Sequence, residues 1–200
     1  RAASDPWSGN DVYTADFSAL HTPGNYRLRV AGLGQSDDFR IAADVYEAVY
    51  RTTARYFYHH RNSVAIRAPW AATGYERPGG VPERLDAVFH EDVAASPLGN
   101  REPANGYRRV SGGWFDAGDY GQYIPNAAPV WYVIGAALDI APQRFRDGDL
   151  NIPESGNGLP DLLDELEWGM DWALQMQDPA DGGVYFRVAS ATWDGSLPHE

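Results

Sequence analysis

The run Val130-Trp131-Tyr132-Val133-Ile134-Gly135-Ala136-Ala137-Leu138 restricts the fold more than any other stretch of the chain. It belongs to a helix expected from Pro125 to about Ala141. Pro129 is tolerable only in the first turn of such a helix, and Pro142 ends it. Apolar residues occupy every face, so the helix is expected to be buried all round. With 44% hydrophobic residues in 200 positions, the chain can supply a core of that kind.

Strand-like sequence precedes this helical region. Val12–Phe17 alternates weakly, and Tyr26-Arg27-Leu28-Arg29-Val30 alternates with the period of a half-buried strand. Phe39-Arg40-Ile41 follows another turn. These segments form the tail of a small antiparallel β-sandwich, because a complete one needs about seven strands. The character changes near Ala42, which gives two expected domains, 1–42 and 43–200.

From Asp44 to about Arg61, the residues Tyr46, Val49, Tyr50, Thr53 and Phe57 mark a helical stripe. An irregular stretch, 62–111, is rich in Pro, Gly and Arg, and loops of that length often carry function. A third helix is expected from Leu159-Pro160 to about Gln177, with Leu162, Leu166, Met170 and Ala173 on its apolar face. Asp161, Asp164 and Glu165 would complement its positive N-terminus. Val184–Val188 reads as a short strand or extended loop. Strands first and helices afterwards describe a β module followed by the opening of an all-α domain.

A net charge of −12 disfavours nucleic acid and anionic membrane surfaces as partners. No run approaches the ~20 apolar residues of a membrane span, and no signal peptide is visible. There is no cysteine, hence no disulfide and no thiolate metal site. The chain stops in what reads as the middle of a loop, the pattern of a part of a larger protein.

Chemistry concentrates in Gly112-Gly113-Trp114-Phe115-Asp116-Ala117-Gly118-Asp119-Tyr120-Gly121-Gln122-Tyr123. Glycines permit close backbone turns, aromatic faces suit a sugar ring, and carboxylates can activate water. Inverting hydrolysis of an acetal needs a base and an acid about 6.5–9.5 Å apart. Asp116 and Asp119, three residues apart in a tight turn, lie closer than that. They read as two halves of one water-activating group, with the acid elsewhere.

Asp147, Asp149 and Asn151 alternate like oxygen ligands of a calcium loop, but Ile152 and Gly158 stand where an EF-hand needs Gly and Glu. A looser structural calcium site and a solvated acidic loop both stay open. His59 and His60 are adjacent and point to different faces of a helix. They suit capping or packing better than a shared ion.

Ser111–Tyr123 resembles the signature of family 9 glycoside hydrolases, the inverting cellulases. Asn151-Ile152-Pro153-Glu154-Ser155-Gly156-Asn157-Gly158-Leu159-Pro160-Asp161-Leu162-Leu163-Asp164-Glu165 resembles that family's second N-terminal block, and Tyr56–Arg61 its first barrel helix. The β segment is similar to the end of the immunoglobulin-like domain that precedes the barrel in many members. The resemblance implies a mainly α fold, the N-terminal part of an (α/α)6 barrel, with the 125–141 helix in its inner ring. It assigns Asp119 as catalytic base and Asp116 as a holder of the water, and it places Trp114, Tyr120 and Tyr123 along the cleft. The structural zinc of many relatives is not expected, because its cysteines are missing. The family's general acid, a late glutamate, has no counterpart in these residues.

The implied activity is hydrolysis of β-1,4-glucosidic bonds in a secreted protein, on a β-linked polysaccharide or oligosaccharide, completed by the rest of its own barrel. No cofactor is required for that chemistry. Exo-acting members of the family (a cellobiohydrolase, or a glucosaminidase that the acidic charge would suit) are the alternatives within the enzyme class. A carbohydrate-binding module without turnover is the alternative outside it.

Overall fold

The computed structural model describes residues 2–79, 87–89, 110–118 and 120–189. The chain divides into two compact units, Arg1–Val49 and Tyr50–Glu200.

The first unit holds three two-stranded antiparallel sheets. β1 (Ala2–Ser4) pairs with β2 (Asp11–Tyr13), β3 (Gly24–Tyr26) with β6 (Phe39–Ile41), and β4 (Arg29–Val30) with β5 (Gly34–Gln35). The alternating run 26–30 is therefore not one strand. Tyr26 ends β3 opposite Phe39, and Arg29 begins β4 opposite Gln35. Between them the Leu28 N–H donates to the Ser36 hydroxyl instead of to a ladder partner. Phe39 gathers the rings of Phe17 and Tyr26, with centroids 5.2 and 6.1 Å away.

The second unit is built on helices. α1 (Glu47–His59) starts just before the division between units and supplies Tyr50, Ala54, Phe57 and Tyr58 to the second unit's core. Tyr46 and Val49, expected on the apolar stripe, are exposed. The inward face is rotated toward Ala54 and Tyr58, and it continues past the helix end to Arg61, which is 1% exposed.

α2 (Ile124–Ile140) runs one residue earlier than expected at its start and carries Pro129 inside it, past the first turn. That proline has no N–H, so the helix forgoes one ladder bond there. The expectation of all-round burial is corrected: among the described residues only Ile134 of α2 is buried, while Tyr132, Val133 and Ile140 are exposed. One side packs against α3 (Asp161–Gln175), and among the described residues the opposite side, with Tyr132 and Val133, is exposed.

α3 begins one residue after Pro160, which sits at the N-cap with extended backbone. Its inward stripe is Asp161, Leu162, Glu165, Gly169 and Trp172; Met170 faces out. Leu162 joins a core with Ala54, Tyr58, Ile66, Ile134, Leu150 and Ile152. Trp172 joins a second, with Val110, Met176 and Val188. Glycine is poor in a helix interior, but a Cβ at Gly169 would collide with the indoles of Trp114 and Trp131. The helix needs that gap to let two tryptophans lie against it.

A small antiparallel sheet closes the unit, in the order β7 (Ala87–Phe89), β9 (Arg187–Ala189), β8 (Gln122–Tyr123). β8 leads directly into α2, so its pairing fixes where the helix starts. The Asp147–Asn151 loop is drawn onto α3 by Asp161, whose carboxylate accepts from the N–H groups of Gly148 (2.8 Å) and Leu150 (2.7 Å) and from the Ser155 hydroxyl. Asp161 is wholly buried; its work is loop closure as well as complementing a helix end.

Candidate active site

The segment 110–118 is fixed by main-chain contacts on one side and by α3 on the other. Gly113 accepts from Asn62 N–H at 2.9 Å, and Phe115 N–H donates to the His60 carbonyl at 2.9 Å. These two bonds make an antiparallel bridge between Arg61 and Trp114. From α3, the Trp168 indole N–H donates to the Gly113 carbonyl at 2.9 Å. Gln122 donates to the Gly112 carbonyl at 2.7 Å and accepts from the Asn62 amide.

Gly113 has φ +69°, and a Cβ there would fall 2.5 Å from Gln122 Nε2 and 2.7 Å from Trp172 Cγ. Both the left-handed backbone and the close approach require glycine. Tyr120 also has positive φ, +55°, an uncommon conformation for a bulky residue. Asp116 N–H donates to Gly121 O and Tyr120 N–H to Ala117 O, which closes the turn between them.

Beside this segment is a cavity of about 160 Å³, walled by Tyr56 and Phe57 of α1, by Trp114, Phe115 and Asp116, and by Tyr123, Asn126, Ala127 and Val130 at the start of α2, with Trp172 at one side. Mixed aromatic and polar walls of this kind suit a flat ligand with hydroxyl groups. Of the residues expected to act, Trp114, Asp116 and Tyr123 line it. Tyr120 does not; its ring packs edge-on against Phe115, centroids 5.1 Å apart. Asp119 lies outside the described residues.

Trp114 is held from behind. Its indole N–H donates to Glu165 Oε2 at 3.2 Å, and its ring meets Phe57 at 5.1 Å. Glu165 and Arg61 form an ion pair, Nη2 to Oε1 3.1 Å, with both side chains almost wholly buried. Arg61 also grips Glu154, Nη1 to Oε1 2.9 Å, and its guanidinium lies over the Trp168 ring at 4.5 Å. One cation therefore faces two carboxylates. Burial pushes the Glu165 carboxyl up to about 7 against the pull of Arg61. Arg61 itself is held charged: burial opposes the charge, and Glu165 and Glu154 outweigh it.

The acidic loop directs its three side chains to three places. Asp147 accepts from the N–H groups of Gly156 and Gly158, and those bonds hold its carboxyl below the usual range. Asp149 accepts from Arg146 N–H and pairs with Arg51 at 3.4 Å. Asn151 donates to the Pro69 carbonyl at 3.0 Å. Among the described residues no group of three or more His, Asp or Glu converges as metal ligands do. His59 is half-buried and its proton affinity lowered, chiefly by partial burial and then by Arg55; His60 stacks on Tyr56 at 3.7 Å.

Two features escaped the sequence reading. Asn126, in the first turn of α2, donates its amide to Asp116 Oδ1 at 2.9 Å. The Arg61–Glu165 pair joins positions 104 residues apart. Its local signal was a carboxylate at the same helical phase as Asp161, Gly169 and Trp172, the inward face of α3.

A family model described as glycosyl hydrolase family 9 matches residues 46–197, and one described as a cellulase N-terminal ig-like domain matches residues 1–35. A xyloglucan-specific endo-β-1,4-glucanase of Bacteroides ovatus is 37% identical over 193 residues, 96% of this chain and 32% of that protein. A cellulose 1,4-β-cellobiosidase of Acetivibrio thermocellus is 32% identical over 221 residues, 98% of this chain and 25% of that protein. Among solved structures, the glycoside hydrolase family 9 endoglucanase J30 superposes with a TM-score of 0.76 at 35% identity, covering 94% of this chain and 34% of its own. The chain spans roughly a quarter to a third of the length of the relatives it matches.

Proposed function

Because the chain belongs to glycosyl hydrolase family 9, we propose that the protein carrying it cleaves β-1,4-glucosidic bonds of cellulose or a related β-glucan with inversion. The observation that carries this reading is the position of Asp116 on the wall of an aromatic cavity, beside Trp114 and Tyr123. In the mechanism, Asp119 removes a proton from the attacking water and Asp116 helps hold that water. A glutamate beyond these residues protonates the leaving glucosyl oxygen. Trp114 and Tyr123 offer ring faces to the sugar, and no step needs a metal or cofactor. The exposure of Tyr132 and Val133 on α2 supports an (α/α)6 barrel whose further helices pack against that side. Secretion fits a polymeric substrate that lies outside the cell.

The resemblance to a protein named as a cellobiosidase favours one second reading, release of short products from chain ends. The test is hydrolysis by the full-length protein of carboxymethylcellulose, xyloglucan, cello-oligosaccharides and chito-oligosaccharides, with Asp119→Ala beside it. General-base assistance contributes roughly 10²–10⁴-fold, so that variant should lose at least ~100-fold. Internal cleavage of carboxymethylcellulose or xyloglucan indicates endo action, and disaccharide release alone indicates exo action. Near-wild-type turnover by Asp119→Ala overturns the assignment.

A further inference from the structure

The geometry points to Asn126 as a positioning residue for Asp116: its side-chain amide fixes one carboxylate oxygen so that the other faces the water. This rests on the reading of Asp116 and Asp119 given above. The main chain of Asp116 is already set by its N–H bond to Gly121. Only the side-chain rotation remains free, and the 2.9 Å bond from Asn126 Nδ2 to Oδ1, between two exposed side chains, restrains it. An ionised carboxylate only accepts hydrogen bonds, so the NH₂ end of the amide must be the end that faces it.

The surroundings show that this amide has no local duty. Asn126 is the only amide in α2, and the only charged side chain in that helix, Asp139, is at the far end. The N-cap of α2, Tyr123, makes no side-chain capping bond. An asparagine in a first turn could turn back to the free N–H groups there. Here it reaches out to Asp116 across the wall of the cavity that both residues line.

Loss of the bond lets the carboxylate rotate. Orientation is gained at the transition state, so the effect falls on kcat and leaves KM nearly unchanged. A hydrogen bond to a charged group of this kind corresponds to a roughly 10- to 100-fold change in rate.

The discriminating variant is Asn126→Asp. Near a helix N-terminus an aspartate is favourable, so a purely structural role for this position predicts a stable and active protein. A positioning role predicts loss, because the new carboxylate repels Asp116 instead of donating to it. The experiment measures kcat and KM on cellopentaose for the full-length protein and for Asn126→Ala, Asn126→Asp, Asp116→Ala and the double variant Asp116→Ala/Asn126→Ala. Asp119→Ala serves as the control for the underlying reading.

Both Asn126 variants should lose 10- to 100-fold in kcat with KM within about threefold, and the double variant should be no slower than Asp116→Ala. If Asn126→Ala does not fold, Asn126→Asp decides. Asn126 variants within twofold of wild type in kcat, or losses that simply add in the double variant, overturn the inference. An inactive Asp119→Ala then leaves the hydrolase reading standing. An active Asp119→Ala overturns both.

Discussion

Replacing Arg61 by methionine isolates the buried charge behind Trp114. The substitution keeps a long apolar stem and removes the one cation facing Glu165, whose side chain has no exposed surface. Its remaining partner is the Trp114 indole N–H at 3.2 Å. Removing one member of such a pair costs about 3–5 kcal/mol when the other stays ionised. The cost depends on pH. Glu165 already has its carboxyl raised from 4.5 to about 7 by burial. A carboxyl raised on folding contributes stability that is complete below its unfolded value and is lost as pH rises through the folded one. In wild type that displacement corresponds to ~3 kcal/mol between about pH 4.5 and 7. Without Arg61 the carboxyl rises further and the loss extends to higher pH. At pH 5, below the raised value of Glu165, its carboxyl keeps its proton with or without Arg61, and the variant forfeits the Arg61 bonds to Glu154 and to the Glu165 carboxyl and the contact with Trp168, about 1–3 kcal/mol. At pH 8 the variant still holds a proton that wild type has released since about pH 7, and that difference adds about 1 kcal/mol to the loss. Urea unfolding of the full-length protein, followed by tryptophan emission at both pH values, measures the difference. Adding Glu165→Gln should abolish the difference between the two pH values. A loss equal at the two pH values, or below about 1 kcal/mol at pH 8, refutes the reasoning.

Three further outcomes are expected. Gly169→Ala should destabilise by about 1–3 kcal/mol, because its Cβ would lie 2.6 Å from Trp131 Nε1 and against Trp114; helix propensity alone predicts a gain of up to ~1 kcal/mol, so the sign of the change in Tm decides. Gly113→Ala combines a left-handed backbone with the 2.7 Å approach to Trp172, and should lower the denaturation midpoint by more than Gly118→Ala, whose Cβ would meet nothing within 4 Å. Asp161→Asn leaves one of the Gly148 and Leu150 N–H groups without its acceptor, at about 1–3 kcal/mol, and amide exchange at those two positions should quicken.

What was legible in the sequence was local. The glycine, aromatic and aspartate spacing of 112–123 marked a tight turn and a candidate site, and of those residues Trp114, Asp116 and Tyr123 line one cavity. The third helix was readable from Pro160 and the acidic first turn. Its inward face was legible in part: Leu162 is buried and Leu166 packs on the core, but hydrophobicity also selects the exposed Met170 and misses the buried Glu165 and Gly169. A buried carboxylate is tolerable only because Arg61 arrives from the end of α1, and no local window holds both residues. The break in the 26–30 strand arises in the same way, since Tyr26 and Arg29 pair with different partners. Asn126 carries no local signal, because its bond to Asp116 forms only where β8 sets the start of α2.

In the proposed mechanism Asp116 and Asp119 form the water-activating side of an inverting glycosidase. The stereochemistry of the first product tests it most directly. Proton NMR of the anomeric region, recorded in the first minutes of hydrolysis of a β-1,4-glucan by the full-length protein, should show the α anomer before mutarotation. Initial release of the β anomer would contradict the account.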